Sequence, residues 1–130
     1  MIIAKFTIHL NPVTKKNSAQ IIRVSGRPMI IPSKQYRLYE AAARAYLEWD
    51  LEPIDFPVNV ECVYYMKTRR RVDLVNLEEA TLDVLVKHGI LADDNSKIVA
   101  TMDGSRVGHD KHDPRVEITI TSKEDEDVPD

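Results

Sequence analysis

Residues 58–91 read VNVECVYYMKTRRRVDLVNLEEATLDVLVKHGIL, and a change of periodicity inside this stretch decides the fold. In residues 58–66 every second side chain is apolar or aromatic, so one face of the segment carries Val58, Val60, Cys62, Tyr64 and Met66. Period two is the pattern of a strand with one buried face. The segment therefore predicts a central strand, which ends at the basic sequence KTRRR of residues 67–71.

The second half of the stretch has the period of a helix. From about Leu74 to Lys87 or His88 the apolar positions recur three and four residues apart, and they are Leu77, Ala80, Thr81, Val84 and Leu85. Gly89 is typical of the residue that follows a helix, because glycine adopts positive φ without strain. The stretch thus predicts a strand, a basic turn and an amphipathic helix, after which Ile90 and Leu91 pack back on the core.

The flanking sequence adds further elements. We predict strands at residues 2–10, 97–102 and 116–121, a hairpin of residues 21–24 and 28–31 around Ser25-Gly26, and a polar loop at residues 103–114. A first helix is predicted from Lys34 to about Asp50, with an inner stripe of Leu38, Ala41, Ala42, Ala45, Tyr46 and Trp49. This order predicts an α+β fold in which a single mixed or antiparallel sheet carries two main helices on one face.

Composition indicates one globular domain and excludes several classes of protein. The chain has 130 residues, of which 43% are hydrophobic and 30% charged. No run approaches the roughly 20 apolar residues of a membrane span. The alternating N-terminus is interpreted as a strand and not as a signal peptide, so we expect a cytoplasmic protein. A single cysteine, Cys62, excludes an internal disulfide. Residues 123–130 hold five of the acidic groups, so we predict a domain at 1–122 and a disordered acidic tail at 123–130.

Acidic residues concentrate in one window, where they could bind a divalent ion. They are Asp73, Glu78, Glu79, Asp83, Asp93 and Asp94. Oxygen ligands suit Mg²⁺, which takes one or two carboxylates and several waters. The basic residues 69–71 stand directly before Asp73, as a metal-dependent phosphodiesterase requires. The alternative is that these charges form an ordinary solvated helix face and turn.

The order of these motifs resembles the RusA family of small dimeric, magnesium-dependent endonucleases that resolve Holliday junctions, many of them carried by prophages. Three segments carry the resemblance: RRVDLVNL at 70–77, LDVL at 82–85 and GILADD at 89–94. Two weaker matches are Pro12-x-Thr14-x-x-Asn17 and Ser33-x-x-Tyr36. The resemblance covers most of residues 6–121 and implies the same α+β fold.

The resemblance also implies a catalytic site, with two departures from the family pattern. Asp73 and Asp94 match family carboxylates, and Asp93 is the neighbour of the second. Val75 stands where the family has another carboxylate, and Glu79 stands where it has a lysine. We expect Glu79 to compensate for Val75, so that Asp73, Glu79 and Asp94 are catalytic. The expected ligands of Mg²⁺, for which Mn²⁺ can substitute, are these three residues together with Asp93.

The implied partner is branched DNA, bound by a homodimer that supplies two equal sites for paired nicks in recombination and repair. We expect Lys15, Lys16, Asn17 and residues 69–71 to contact the DNA backbone. Two further candidates are Asp103 as a metal ligand and Arg106 as a phosphate contact. Residues 109–113 are interpreted as solvent-exposed. A non-catalytic junction-binding protein on the same fold, and an unrelated protein–protein module, remain alternatives.

Overall fold

The structure is a computed structural model that describes residues 1–15, 20–31 and 33–124. Its elements in chain order are β1 (Ile2–Ile8), β2 (Gln20–Val24), β3 (Arg27–Ile31), α1 (Lys34–Ala43), β4 (Val58–Met66), α2 (Leu74–Lys87), β5 (Val99–Thr101), β6 (Arg106–His109) and β7 (Arg115–Ser122). A short 3₁₀ turn, Arg44–Tyr46, follows α1 directly.

Five strands form one mixed sheet, which confirms the predicted α+β class. The order is β1-β7-β4-β5, and β6 also pairs with β4. β7 runs antiparallel to both β1 and β4, whereas β5 and β6 run parallel to β4 and pair with its two ends. β4 is therefore the central strand, and its last residues pair with β6 just where the basic turn begins.

The helix α2 has the bounds and the buried face that the sequence predicts. Its buried residues are Leu77, Ala80, Thr81, Val84 and Leu85. They share one core with the inner face of the sheet, and Tyr64 of β4 is joined to Thr81 by a hydrogen bond of 2.7 Å between the two hydroxyl oxygens. Gly89 follows the helix with φ +77°, as expected of a residue that ends a helix.

The helix α1 is shorter than predicted and presents a different face to the core. It ends at Ala43, not near Asp50, and buries Tyr36, Tyr39 and Ala43. Leu38, expected in the inner stripe, is 61% exposed. The stripe prediction is wrong because it followed the aliphatic side chains. The tyrosines bury larger rings, and the Tyr36 hydroxyl is satisfied by Glu40 and by the carbonyl oxygen of Ala80.

The other predicted strands are present, although β1 and β5 are shorter than predicted. The tail predicted at residues 123–130 lies outside the described residues from 125 onward. Two further predictions need correction. The hairpin forms around Ser25 and Gly26, which both have positive φ, but it is a separate two-stranded sheet. The segment predicted as a loop at residues 103–114 contains the strand β6. The sequence did not predict this strand because it has only four residues, and they show no alternation of polar and apolar side chains. Within the described ranges, no helix is long and apolar enough to cross a membrane.

Candidate active site

Asp73 is held in place as the N-cap of α2. Its backbone is extended, and its Oδ1 accepts a hydrogen bond of 3.0 Å from the backbone N–H of Val75. The second carboxylate oxygen has no hydrogen-bond partner among the described residues. Asp73 therefore combines a fixed position with an oxygen that is available to a ligand, at a helix end whose dipole attracts anions.

A cleft of about 350 Å³ opens at this helix end, and Thr14, Arg71, Val72, Asp73 and Asn76 line it. We call it the Asp73 cleft. A hydrogen bond of 3.0 Å from the backbone N–H of Lys67 to the Asn11 side-chain oxygen ties the loop that carries Thr14 to the basic turn. The cleft thus places a carboxylate and a guanidinium side by side on three segments that contact one another.

The basic turn, residues 67–71, supplies uncompensated positive charge beside this cleft. Arg69, Arg70 and Arg71 are exposed, and none of their guanidinium groups has a partner in the part of the chain that the structure describes. Such side chains are free to bind an external anion. Because phosphate contacts from arginine provide most of the affinity for a nucleic-acid backbone, this turn is the strongest candidate for a DNA contact.

Lys15, predicted to contact DNA, makes an ion pair within the chain. Its Nζ lies 2.6 Å from Oδ2 of Asp83, and it also lies over the Tyr36 ring, 5.5 Å from the centroid. The side chains of Lys15 and Asp83 are 32% and 30% exposed. Burial and the nearby carboxylates of Glu40 and Asp83 raise the pKa of Tyr36, so its hydroxyl stays neutral. Because Lys15 neutralises Asp83 in this ion pair, a DNA contact by Lys15 would have to compete with the pair.

Asp93 and Asp94 form a turn and have different electrostatics. Asp93 accepts hydrogen bonds from the backbone N–H of Asp94 and from the Asn95 amide, and these bonds lower the pKa of Asp93. Desolvation and the charge of Asp93 raise the pKa of Asp94, and Asp83 also contributes. Asp93 thus shapes the turn, whereas Asp94 is an exposed carboxylate that a cation would stabilise.

The charge of Asp83 on α2 acts on Asp94. Ten residues of helix, about 15 Å along the axis, separate Asp83 from Asp73. The segment before Asp94 is held by the backbone N–H of Ala92, which donates to the carbonyl oxygen of Ile54 ahead of β4. Among the described residues, no group of three or more His, Cys, Asp or Glu side chains could hold a metal ion.

The two positions that depart from the family pattern both lie near the start of α2. Val75 is 65% exposed in the first turn and offers no ligand atom. Glu79 is exposed as well. Its assignment as a replacement ligand stays a prediction. Lys16 and Asn17, predicted to contact DNA, lie outside the described residues.

The further candidates, Asp103 and Arg106, and the loop 109–113 lie apart from the Asp73 cleft. The backbone N–H of Asp103 donates to the Asn59 side-chain oxygen, near the start of β4, whereas Asp73 follows the end of that strand. Seven residues of β4, about 23 Å, separate Asn59 from the end of the strand at Met66. Arg106 bonds the Gly104 carbonyl oxygen. The prediction that residues 109–113 are solvent-exposed is correct for 111 and 112, whereas 109, 110 and 113 are half-buried. Asp110 and Asp113 belong to an ion-pair network around Arg115.

Thr14 and Tyr36 belong to the sequence motifs noted above, but the sequence assigned no role at the site to them or to Asn11. Thr14 and Asn11 reach it from the first loop, and Tyr36 supports Lys15 from α1. One signal was present in the sequence: Tyr36, Tyr39, Ala43 and Leu47 recur at helical spacing, and all four are buried.

Comparison with known proteins identifies the family. The model of the family described as endodeoxyribonuclease RusA matches residues 9–121, which is most of the chain. No curated protein sequence matches it. The match includes the basic turn, Asp73 with its helix, and the turn of Asp93 and Asp94, and it confirms the resemblance seen in the sequence motifs. Since the match extends over far more than half of its length, this chain belongs to the RusA endodeoxyribonuclease family.

Proposed function

We propose that this chain is a magnesium-dependent endonuclease that resolves Holliday junctions by paired, symmetric nicks. Family membership implies endodeoxyribonuclease activity on such junctions. The observation that carries the finer proposal is the Asp73 cleft, where a fixed carboxylate with one free oxygen stands beside Arg71 and the unpaired arginines of the basic turn. Together these groups provide a cation ligand and a phosphate-binding surface at one place.

The donor atoms near Asp73 fit magnesium. This ion needs only one or two protein carboxylates because waters complete its octahedral shell, and Asp73 offers an oxygen that no described residue occupies. We expect Asp73 and Glu79 to hold the ion, with Asp93 and Asp94 as the remaining ligands of the proposed set. Bound magnesium would supply the positive charge that polarises the phosphodiester and makes water a better nucleophile.

The chain's own residues bind and orient the DNA. Arg71 is the guanidinium that lines the cleft with Asp73, so it is placed to hold the phosphate next to the scissile bond. Arg69 and Arg70 extend the contact along the backbone. The N-terminus of α2 adds a positive dipole end at the same position, and Asn76 completes the wall of the cleft.

We infer that the chain acts as a homodimer. A twofold dimer presents two identical sites, as cleavage of two symmetric strands requires.

A second function, junction binding without cleavage, is favoured by one observation. Val75 is exposed in the first turn of α2 and cannot bind a metal ion. If Glu79 does not compensate, the basic turn would still hold DNA while the chemistry is lost.

One experiment separates the two functions. A labelled synthetic four-way junction and a linear duplex with the sequence of one arm are incubated with the full chain in Mg²⁺ or in EDTA. The endonuclease proposal expects nicks in the junction with Mg²⁺ only, and none with Asp73→Asn. Stable binding without nicks in Mg²⁺ and in Mn²⁺ would favour the non-catalytic function.

A further inference from the structure

A second cleft adjoins the basic turn and does not include Asp73. It has a volume of about 240 Å³, and it is lined by Met66, by Thr68, Arg69 and Arg70 of the turn, and by Val107, Gly108 and His109 of β6. We call it the β6 cleft. It shares Arg69 and Arg70 with the backbone contact assigned above, whereas its β6 residues have no assigned role. The cleft exists because β6 pairs with the last residues of β4.

The pairing of β6 with β4 fixes His109 at the start of the basic turn. His109 is the register partner of Met66, and the backbone N–H of Asp110 donates to the Met66 carbonyl oxygen at 2.9 Å. Paired residues of neighbouring strands share a face of the sheet. His109 therefore lies on the face of Tyr64, whose hydroxyl contacts Thr81 of α2. This is also the face on which the helix of Asp73 stands.

The acidic residues next to His109 do not neutralise the β6 cleft. Asp110 lies 2.8 Å from Arg115 and accepts hydrogen bonds from two backbone N–H groups, which together lower the pKa of Asp110. Asp113 is 3.0 Å from His9. By contrast, the guanidinium groups of Arg69 and Arg70 have no partner within the described ranges. The cleft thus keeps an excess of positive charge and hydrogen-bond donors, the chemistry that binds phosphate.

Arg70 stands between two binding regions. It lines the β6 cleft and also a groove that runs along Asn11, Thr14, Arg71 and Val72 toward the Asp73 cleft. A DNA backbone that follows this groove would have to cross the basic turn to enter the β6 cleft. A four-way junction presents the backbones of neighbouring arms close together at the branch point, so two arms can pass on the two sides of the turn.

We propose that the β6 cleft binds a backbone phosphate from a second arm of the junction, with His109, Arg69 and Arg70 as its contacts. The inference rests on the proposed function, since it assigns a branched substrate to the same end of the molecule. It adds a site that discriminates a junction from a linear duplex, because a duplex can occupy only the Asp73 side.

The test compares junction and duplex binding by fluorescence anisotropy over a range of salt concentrations. The variants are His109→Ala, His109→Lys and Arg69→Ala, and the control is His112→Ala, an exposed residue three positions beyond the cleft. We expect His109→Ala to weaken junction binding roughly fivefold or more and to leave duplex binding unchanged. Arg69→Ala should lower the salt slope of junction binding by about one and should weaken junction binding more than duplex binding, because Arg69 also belongs to the backbone contact of the proposed function. His109→Lys should retain junction binding, and His112→Ala should match the wild type.

The other outcomes contradict the inference in distinguishable ways. If the variants weaken junction and duplex binding equally, both sides of the turn bind one arm, and the second-arm site is wrong. If junction binding is unchanged, the β6 cleft does not contact DNA. If the unaltered chain binds the junction no better than the duplex, the proposed function itself fails, whatever the variants do. Equal loss in His109→Ala and His109→Lys, with lowered thermal stability, would assign His109 to the fold and also overturn the site.

Discussion

Asp73 has two roles that substitutions can separate, since it caps α2 and offers an oxygen to a cation. Asp73→Asn keeps a side-chain oxygen for the Val75 N–H, and asparagine caps helices about as well as aspartate. Asp73→Ala removes both the cap and the charge. Loss of a cap costs about 1 kcal/mol, which is about 3 to 4 °C in Tm for a domain of this size. We expect this shift for Asp73→Ala and little change for Asp73→Asn.

The cleavage rate should depend on the charge of residue 73 and not on its capping hydrogen bond. Removing a carboxylate ligand should slow cleavage ~100-fold or more, equivalent to about 2.7 kcal/mol of barrier. A loss of 1 kcal/mol leaves a domain of ordinary stability folded, so the two variants should be similarly inactive although they differ in Tm. Calorimetry and single-turnover cleavage of a labelled junction measure both quantities. Asp73→Asn cleaving within threefold of the wild-type rate would remove Asp73 from the site, and equal Tm losses in both variants would refute the capping argument.

Three further predictions concern the residues around Asp73. In a double-mutant cycle, Lys15→Met and Asp83→Asn should show a coupling below about 1 kcal/mol in unfolding free energy, since the pair is partly exposed. Lys15→Met should also leave the salt slope of junction binding unchanged. A lower slope would mean that Lys15 contacts DNA. Replacing residues 69–71 with alanine should reduce that slope by about one per lost phosphate contact, whereas an unchanged slope would show that they do not bind the backbone. If Glu79 replaces the missing ligand, Glu79→Gln should abolish cleavage as fully as Asp73→Asn, and Val75→Asp should restore the activity lost in Glu79→Lys; a fully active Glu79→Ala would end the compensation hypothesis.

The sequence predicts β4 and α2 accurately because their periodicities are clear and their ends are marked. Nine residues of period two are followed by a basic turn, and the helix is closed by a glycine with positive φ. The first helix shows the limit of this reasoning. Aliphatic and aromatic stripes compete on α1, and burial of Tyr36 and Tyr39 prevails because their rings fill the space over the sheet.

The candidate site was predictable only where its residues are close in sequence. Asp73 and the basic turn are adjacent, so their proximity follows from the chain itself. The Lys15–Asp83 pair joins residues 68 positions apart, and no local pattern encodes it. Likewise, the sequence places Asp93 and Asp94 after α2. Their position depends on the backbone hydrogen bonds that residues 90–92 make to Leu85 and Ile54, and no local pattern encodes these bonds.

The most direct test of the central claim is to map the nicks on a four-way junction whose opposite strands carry different end labels. With the unaltered chain and Mg²⁺, we predict nicks at symmetric positions in two opposite strands, none in EDTA, and none with Asp73→Asn. Junction binding with no nick in either strand, in Mg²⁺ or Mn²⁺ and at protein in excess over DNA, would contradict the assignment of this chain as a resolving endonuclease.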